Sequence, residues 1–174
     1  MKKTANYPFF TVLAAVAIGL CVFAGCNGSY SDQWLYSSEV SSVYVKMFEN
    51  KTFRRNLEYT LTDALVKKIE ADSPYKVVSD RSKADSVIYG EIVDISETVL
   101  SGEIQTGRPL EMQVTAVAKV NWKNLKTGRF IVKDAQIKAS QSFSEFQNQR
   151  LDYAKSVSAN KLAERIVEAM ELNW

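Results

Sequence analysis

The sequence of 174 residues contains no histidine and only two cysteines, Cys21 and Cys26. It also has no glycine-rich phosphate loop and no cysteine or histidine cluster with the spacing of a metal site. These absences exclude most nucleophilic, proton-shuttle and transition-metal schemes. Catalysis by carboxylates alone stays open, but the acidic residues are scattered at positions typical of caps and solvated faces. We therefore expect no enzymatic activity, no metal and no cofactor other than a covalent lipid.

The first 26 residues are the most informative part of the sequence. Two lysines form a short basic start, residues 9–23 form an apolar run, and Ala24 and Gly25 precede Cys26. This order is typical of a lipoprotein signal peptide, in which small residues precede the cysteine that receives the lipid. We predict a signal peptide at residues 1–25 and lipidation of Cys26. The alternatives are an uncleaved anchor helix and cleavage without a lipid.

The predicted mature chain carries no net charge. Removal of residues 1–25 takes away two lysines and no acidic residue, which leaves 20 basic residues against 20 acidic ones. A neutral chain without runs of like charge does not favour nucleic-acid binding, and we expect none. Residues 26–42 are rich in serine and predict a lipidated tether. Asn27 replaces the aspartate that holds many lipoproteins at the inner membrane, so we expect the periplasmic side of the outer membrane.

The folded part of the chain is predicted to begin near Val43. Residues 43–48 alternate between apolar and polar side chains and predict a strand with Met47 on its buried face. Thr52 is predicted to cap a helix that ends near Asp72. The apolar residues that recur every four positions in this helix are Phe53, Leu57, Leu61, Leu65 and Ile69.

The second half of the chain predicts strands followed by a helix. A short strand is predicted at 75–79 and a longer one at 86–100, in which Gly90 indicates a bulge or the close approach of another backbone. Residues 112–140 predict a long antiparallel hairpin, and residues 151–170 an amphipathic helix. The residues that alternate on one face of the first hairpin arm are Val114, Ala116, Ala118, Val120 and Trp122.

The order of these elements, strand, helix, several strands and helix, predicts an α+β fold. Two amphipathic helices need an apolar surface, and a sheet of alternating strands offers one such face. We expect a two-layer sandwich with both helices on one face of a mostly antiparallel or mixed sheet of four to five strands. The other face must then be exposed to solvent or docked against a partner.

Several segments of the chain resemble the LptE family of lipopolysaccharide-assembly lipoproteins. The resemblance is carried by residues 43–58, 61–65, 76–78, 84–90, 111–114 and 122–128 and by the closing amphipathic helix. It covers nearly all of residues 43–174, which we interpret as an LptE-like α+β domain. Similar strand, turn and helix patterns occur in curli-secretion and penicillin-binding-protein-activator lipoproteins. An accessory lipoprotein of such an envelope system is therefore the alternative, and a carboxylate hydrolase is the third hypothesis.

The resemblance implies a function and a set of partners. LptE proteins sit inside the β-barrel protein LptD at the outer membrane and help to insert lipopolysaccharide into the outer leaflet. The expected partners are thus an LptD-like barrel, lipopolysaccharide, and the membrane through the lipid at Cys26. The aromatic residues that could contact a barrel are Tyr30, Trp34, Tyr36, Phe143 and Phe146. Alternatively, Trp122, Phe143 and Phe146 complete the core.

Lipid A carries phosphates, so a lipopolysaccharide-binding member needs arginine or lysine at the end of the domain away from its anchor. Arg108 precedes the strand at 111–114, where the family carries a lipid-contacting basic residue. Lys123, Lys126 and Arg129 surround the next turn and are further candidates. The family's second basic contact has no clear counterpart near residues 143–149.

Overall fold

A computed structural model describes residues 35–103, 109–144 and 151–171. The predicted lipidation site Cys26 and the candidate residues Tyr30, Trp34, Arg108 and Phe146 lie outside these ranges. No helix within the described ranges is long and apolar enough to cross a membrane.

The described residues form two helices and a mixed sheet. The strands are β1 (Ser42–Val45), β2 (Glu49–Asn50), β3 (Lys76–Val77), β4 (Ser86–Gly102), β5 (Pro109–Asn124) and β6 (Phe130–Phe143), and the helices are α1 (Leu57–Asp72) and α2 (Leu151–Glu168). The sheet order is β3-β1-β4-β5-β6, and β2 also pairs with β4. The pairs β1–β3, β1–β4 and β2–β4 are parallel, whereas β4–β5 and β5–β6 are antiparallel. The predicted α+β architecture is confirmed, and the sheet has six strands instead of the expected four to five because β2, between β1 and α1, forms a separate two-residue strand.

Strand alternation fixes which face of the sheet is buried. In β5 the even-numbered residues point toward the helices and are buried: Val114, Ala116, Ala118, Val120 and Trp122. The odd-numbered residues point to the opposite face, as the pleat of a strand requires. The predicted long hairpin is confirmed by the pairing of β5 with β6.

Gly90 marks the close contact that the sequence predicted. A Cβ at this position would overlap the backbone carbonyl oxygen of Lys119 and would lie 2.7 Å from Cε1 of Phe48. The register of β4 against β5 shifts further along the strand, between Ile92 and Asp94. Gly90 therefore lets the Phe48 ring pack directly on the sheet.

Helix α1 begins later than predicted. Thr52 does not cap it, and the Phe53 side chain is fully exposed. The side-chain oxygen of Asn50 accepts hydrogen bonds from the backbone N–H and the hydroxyl of Thr52 at 2.9 and 2.7 Å, which holds this segment as a turn. Asn56 then adopts a left-handed conformation with φ of 69°, so helical geometry starts only at Leu57. The remaining predicted stripe is buried, and the helix ends at Asp72 as expected.

The first strand also ends earlier than the alternation suggested. Pairing with β4 stops after Val45, although the Lys46 N–H still donates to the Ile88 carbonyl at 2.9 Å. The chain then turns, and Met47 is 49% exposed whereas Phe48 is buried. The prediction of Met47 on the buried face was wrong because the two-residue period is lost before β2 begins.

Both helices run in the same direction across one face of the sheet. Each starts near the β4–β5 hairpin, because α1 follows β2 and the first turn of α2 packs Ala154 against Val114 and Phe143. Each ends near Tyr36, whose hydroxyl donates to the Asp72 carbonyl at 2.8 Å and whose backbone forms a bridge with Glu171. The domain therefore has two distinct ends.

Candidate functional site

The domain has an N-terminal end and a hairpin end. The N-terminal end comprises residues 36–42, 80–86 and 123–133, where the chain enters the fold. The hairpin end comprises residues 97–103 and 109–114 together with the first turns of both helices. The sheet face that the helices leave uncovered, called the open face, joins the two ends.

The open face carries rows of uncharged polar side chains. Ser96, Thr115 and Ser140 lie opposite one another on adjacent strands, and the Thr115 and Ser140 hydroxyl oxygens are 2.9 Å apart. The next row towards the hairpin end consists of Thr98, Gln113 and Ser142. Nearer the middle of the sheet the Lys119 ammonium pairs with Asp134 at 3.3 Å. Between these rows and Lys119, Asp94 and Lys138 flank Val117 on the same face. The open face can therefore exchange hydrogen bonds with a polar surface through its uncharged rows and form ion pairs through Asp94 and Lys138.

Tyr36 is part of the core rather than a free contact residue. Its ring packs edge-on against Tyr75 at 5.6 Å between ring centroids, and Tyr75 packs in the same way against Trp122 at 5.4 Å. All three side chains are buried. Phe143 is also buried, so Trp122 and Phe143 complete the core, as the second of the two sequence hypotheses stated.

The predicted basic residues of the β5–β6 turn lie at the N-terminal end. Asp85 accepts hydrogen bonds from the Ser41 N–H and hydroxyl at 3.0 and 2.7 Å and from the Ser42 N–H at 3.1 Å, and it pairs with the Lys126 ammonium at 2.6 Å. The Lys126 ammonium and then Ser41 hold the pKa of the Asp85 carboxyl well below its usual range. Lys126 therefore joins the turn to the start of β1.

Lys123 has a different partner. Its ammonium lies 5.4 Å from the centroid of the Phe130 ring, and the Lys133 ammonium lies 5.8 Å from the same centroid. Phe130 is 41% exposed and Arg129 is exposed beside it. Lys123 and Lys133 thus lie over one aromatic side chain at the surface, and Arg129 precedes it in the chain.

The hairpin end is formed by the tips of β4 and β5. Gly102 pairs with Pro109, the residue that directly follows Arg108. Glu97 pairs with Val114, so the strands continue five residues beyond that pair, roughly 16 Å at the rise of a strand. Val99 and Leu100 are exposed along this extension. The hairpin therefore projects past the helix layer.

A family model identifies the chain. The model of LptE, described as lipopolysaccharide-assembly, matches residues 40–170. The chain belongs to the LptE family. The family is one of lipopolysaccharide-assembly lipoproteins, and the match includes both ends of the domain and the open face.

Solved structures share the fold of this LptE-family chain. A hypothetical protein from Chlamydia trachomatis is 10% identical with a TM-score of 0.54, over 75% of this chain and 95% of that one. An uncharacterized lipoprotein B from Nitrosomonas europaea is 14% identical with a TM-score of 0.51, over 74% and 81%. A protein from Xanthomonas campestris is 10% identical with a TM-score of 0.55, over 80% and 87%. A search of curated proteins gave no match.

Sequence reasoning missed a second basic cluster in this LptE-family chain. Arg54, Arg55 and Lys155 line a cavity of about 210 Å³ between the first turns of α1 and α2. The Arg54 guanidinium donates to Glu97 at 2.8 Å, and the Lys155 ammonium lies 3.8 Å from Asp152, which also lines the cavity. Arg55 makes no ion pair within the described ranges. The adjacent arginines were visible in the sequence, but their meeting with Lys155 depends on the parallel arrangement of the helices.

Proposed function

We propose that the chain is the accessory, plug subunit of a lipopolysaccharide translocon. In this role it is an outer-membrane lipoprotein, anchored by lipid on Cys26, that sits in the lumen of an LptD-like β-barrel and assists lipopolysaccharide assembly into the outer leaflet. It performs no bond chemistry of its own. Beyond the family match, the observation that carries the proposal is the open face with its rows of hydroxyl and amide side chains.

The open face suits a barrel lumen for a physical reason. The inner wall of an outer-membrane barrel is polar, and its side chains offer hydrogen bonds rather than an apolar surface. The hydroxyl and amide side chains in the rows of Ser96 and Thr98 can both donate and accept hydrogen bonds. Few polar groups would therefore be left without a partner when this face docks. Burying uncharged groups also avoids the large desolvation cost of ions.

The hairpin end is the proposed contact with lipopolysaccharide. Arg108 precedes β5 there, and Arg54, Arg55 and Lys155 add a second group of cations at the same end. Both helices direct their N-termini to this end, where the helix dipoles favour anions. Phosphate groups of lipid A would form charge-assisted hydrogen bonds with such guanidinium groups.

The first experiment is a crosslinked affinity pull-down of the tagged, lipidated protein from solubilised outer membranes. Recovery of a large β-barrel supports the proposal, and Cys26→Ala is the control that removes the anchor. Thr115→Asp, which places a charge in the middle of the open face, should lower barrel recovery. Asn160→Asp, which adds the same charge on the exposed side of α2, should leave it unchanged. Recovery of a peptidoglycan synthase or a secretion ring instead of a barrel would refute the translocon role.

The lipid contact is tested separately. Arg108→Glu and Arg55→Glu should each reduce lipopolysaccharide retained by the purified protein, because each replaces a phosphate partner by a like charge. Lys67→Glu is the matched control on the exposed side of α1. Equal retention by all three variants would contradict the hairpin end as the contact while leaving the barrel partnership standing.

A further inference from the structure

Two loops at the N-terminal end carry a concentrated positive charge. Residues 80–85 and 123–133 together contain six basic side chains and two acidic ones. The basic residues are Arg81, Lys83, Lys123, Lys126, Arg129 and Lys133, and the acidic ones are Asp80 and Asp85. The loops touch, because the Leu125 N–H donates to the Asp85 carbonyl at 2.8 Å. They form one surface in a chain that is otherwise close to neutral.

Both acidic groups of this surface accept hydrogen bonds from groups of the protein itself. Asp80 accepts hydrogen bonds from the Ser82 N–H and hydroxyl at 2.9 and 2.8 Å. The Asp85 side chain is only 13% exposed and is held by Ser41, Ser42 and Lys126. Asp85 and Lys126 therefore neutralise each other, and Asp80, although exposed, is bonded to its own loop, which leaves Arg81, Lys83, Lys123, Arg129 and Lys133 as the excess positive charge of this surface.

An aromatic side chain lies in the middle of the cations. Phe130 is 41% exposed and sits beneath the ammonium groups of Lys123 and Lys133. Long basic side chains around an exposed aromatic ring suit a bilayer interface, where the ring enters the headgroup layer and the charges reach the phosphates.

The docking of Tyr36 limits the distance between this surface and the lipid anchor. Tyr36 lies ten residues after Cys26, a span of at most about 35 Å. The ring contacts from Tyr36 through Tyr75 to Trp122 lead directly to Lys123, the next residue of β5. A lipid on Cys26 therefore keeps Tyr36, and with it the N-terminal end, within about 35 Å of the bilayer.

We propose that Lys123, Arg129, Phe130 and Lys133 form a membrane-contact surface that binds the anionic phospholipid headgroups of the leaflet holding the anchor. This inference rests on the proposed function for the lipid on Cys26. Each cation near an anionic surface strengthens the contact by about five-fold in equilibrium constant, equivalent to about 1 kcal/mol. The contact fixes the orientation of the domain relative to the bilayer, which attachment at a single residue, Cys26, does not set.

The test uses the lipidated full-length product in vesicles. A nitroxide is attached through Thr127→Cys, in the turn beside Arg129; in the predicted mature chain no other thiol remains, because Cys26 carries lipid. Its accessibility to a neutral, water-soluble nickel complex is compared in phosphatidylcholine vesicles and in vesicles that also contain phosphatidylglycerol. We expect at least a five-fold lower accessibility in the anionic vesicles, and recovery of accessibility at high salt.

A neutralised variant and two controls complete the experiment. Lys123→Gln, Arg129→Gln and Lys133→Gln together should remove the protection, whereas the same three-charge change at Lys67, Lys138 and Lys161 should preserve it. A nitroxide at Ser101→Cys, at the hairpin end, should be equally accessible in both kinds of vesicle.

Three results would overturn the inference. Equal accessibility of the turn in both kinds of vesicle contradicts phospholipid binding directly. Protection that appears only when lipopolysaccharide is added assigns the surface to that lipid instead. An intact mass without lipid on Cys26 removes the anchor on which the inference depends, and the barrel pull-down then decides separately on the proposed function.

Discussion

The two ends of the domain are built in different ways. At the N-terminal end, the loops are tied to the core by buried groups, with Asp85 joining two loops and Tyr36, Tyr75 and Trp122 stacked edge to face. At the hairpin end, the strands of β4 and β5 continue past the helices, with the β4 side chains exposed and those of residues 109–113 exposed or half-buried. Both ends present exposed groups, but those of the N-terminal end rest on a frame of buried side-chain contacts, whereas those of the hairpin end rest on a two-stranded extension.

This difference separates stability from binding. The buried groups beside the N-terminal end, Asp85 and the rings of Tyr36, Tyr75 and Trp122, should control whether the domain folds, because the rings fill the core and the carboxylate accepts several hydrogen bonds. The exposed residues of the hairpin end, such as Val99 and Leu100, should control binding with little effect on folding, because their side chains already lie in solvent. Mutations at the two ends should therefore separate into two classes.

The largest effect is expected from Trp122→Ala at the N-terminal end. Trp122 is 1% exposed and contacts the Tyr75 ring, so its removal should lower the free energy of unfolding by about 3–5 kcal/mol. Urea unfolding followed by circular dichroism measures the change. Trp122→Phe is the matched control and should cost much less, since it keeps a ring and removes an indole N–H that has no partner within the described ranges. Equal losses would mean that ring packing does not stabilise this end.

A smaller loss is expected from Gly90→Ala, between the two ends. The new methyl group would overlap the Lys119 carbonyl and crowd Phe48, which should cost about 1–3 kcal/mol. Gly128→Ala provides the comparison, because nothing lies within 4 Å and only its φ of 73° opposes a side chain, at about 1 kcal/mol. Thermal unfolding of the two variants should rank them in this order. The reverse order would show that β4 and β5 can move apart at Gly90 with little loss of stability.

Asp85→Asn should cost about 1–2 kcal/mol at neutral pH, because the ion pair with Lys126 and one charged acceptor are lost. The pKa of Asp85 is lowered in the folded protein, so its stabilisation is present above the usual value of 3.8 and disappears as the pH falls through the folded-state pKa. The difference between wild type and variant should accordingly shrink below roughly pH 4. Urea titrations at several pH values check this, and a constant difference would argue against the carboxylate as its source.

The smallest effect on stability is expected from Phe53→Ala near the hairpin end. Phe53 is fully exposed, so the free energy of unfolding should change by less than about 0.5 kcal/mol. A measurable loss of stability would mean that the segment between β2 and α1 packs against the domain in solution, and the separation between the ends would then be less sharp.

The regular elements could be predicted because their patterns are local. The even-numbered residues of β5 alternate without interruption, and Leu57, Leu61, Leu65 and Ile69 repeat at the helical period. The periodic spacing that makes these residues recognisable in the sequence also places their side chains on one face of the strand or helix, toward the core.

The start of α1 could not be predicted from its apolar period, because polar side chains before the helix determine the backbone conformation there. Phe53 fits the helical period as well as Leu57 does. However, the Asn50 side chain accepts a hydrogen bond from the Thr52 N–H in a turn, and Asn56 adopts a left-handed conformation. Short polar side chains compete with the helix in this way, and the outcome depends on where β2 ends.

The basic residues show a different limit. The sequence shows Lys123, Lys126 and Arg129 around a turn, but it does not show at which end of the domain that turn lies. Asp85, which fixes its position, is 41 residues from Lys126 and belongs to another loop. The candidate site at the hairpin end likewise required the fold, because Lys155 joins Arg54 and Arg55 only through the packing of α2 beside α1.

The central position of β1 has a consequence for the order of folding. β1 lies between β3 and β4 and pairs with both in parallel, as Ser42 with Lys76 and Val43 with Ser86. Both partners follow β1 in the chain, so the strand cannot be placed until β4 has been synthesised, whereas β4, β5 and β6 pair with their immediate neighbours. Contacts across such long loops form late. The residues that lead into β1, from Tyr36 to Ser41, therefore dock late, after β4, β5 and β6 have begun to assemble.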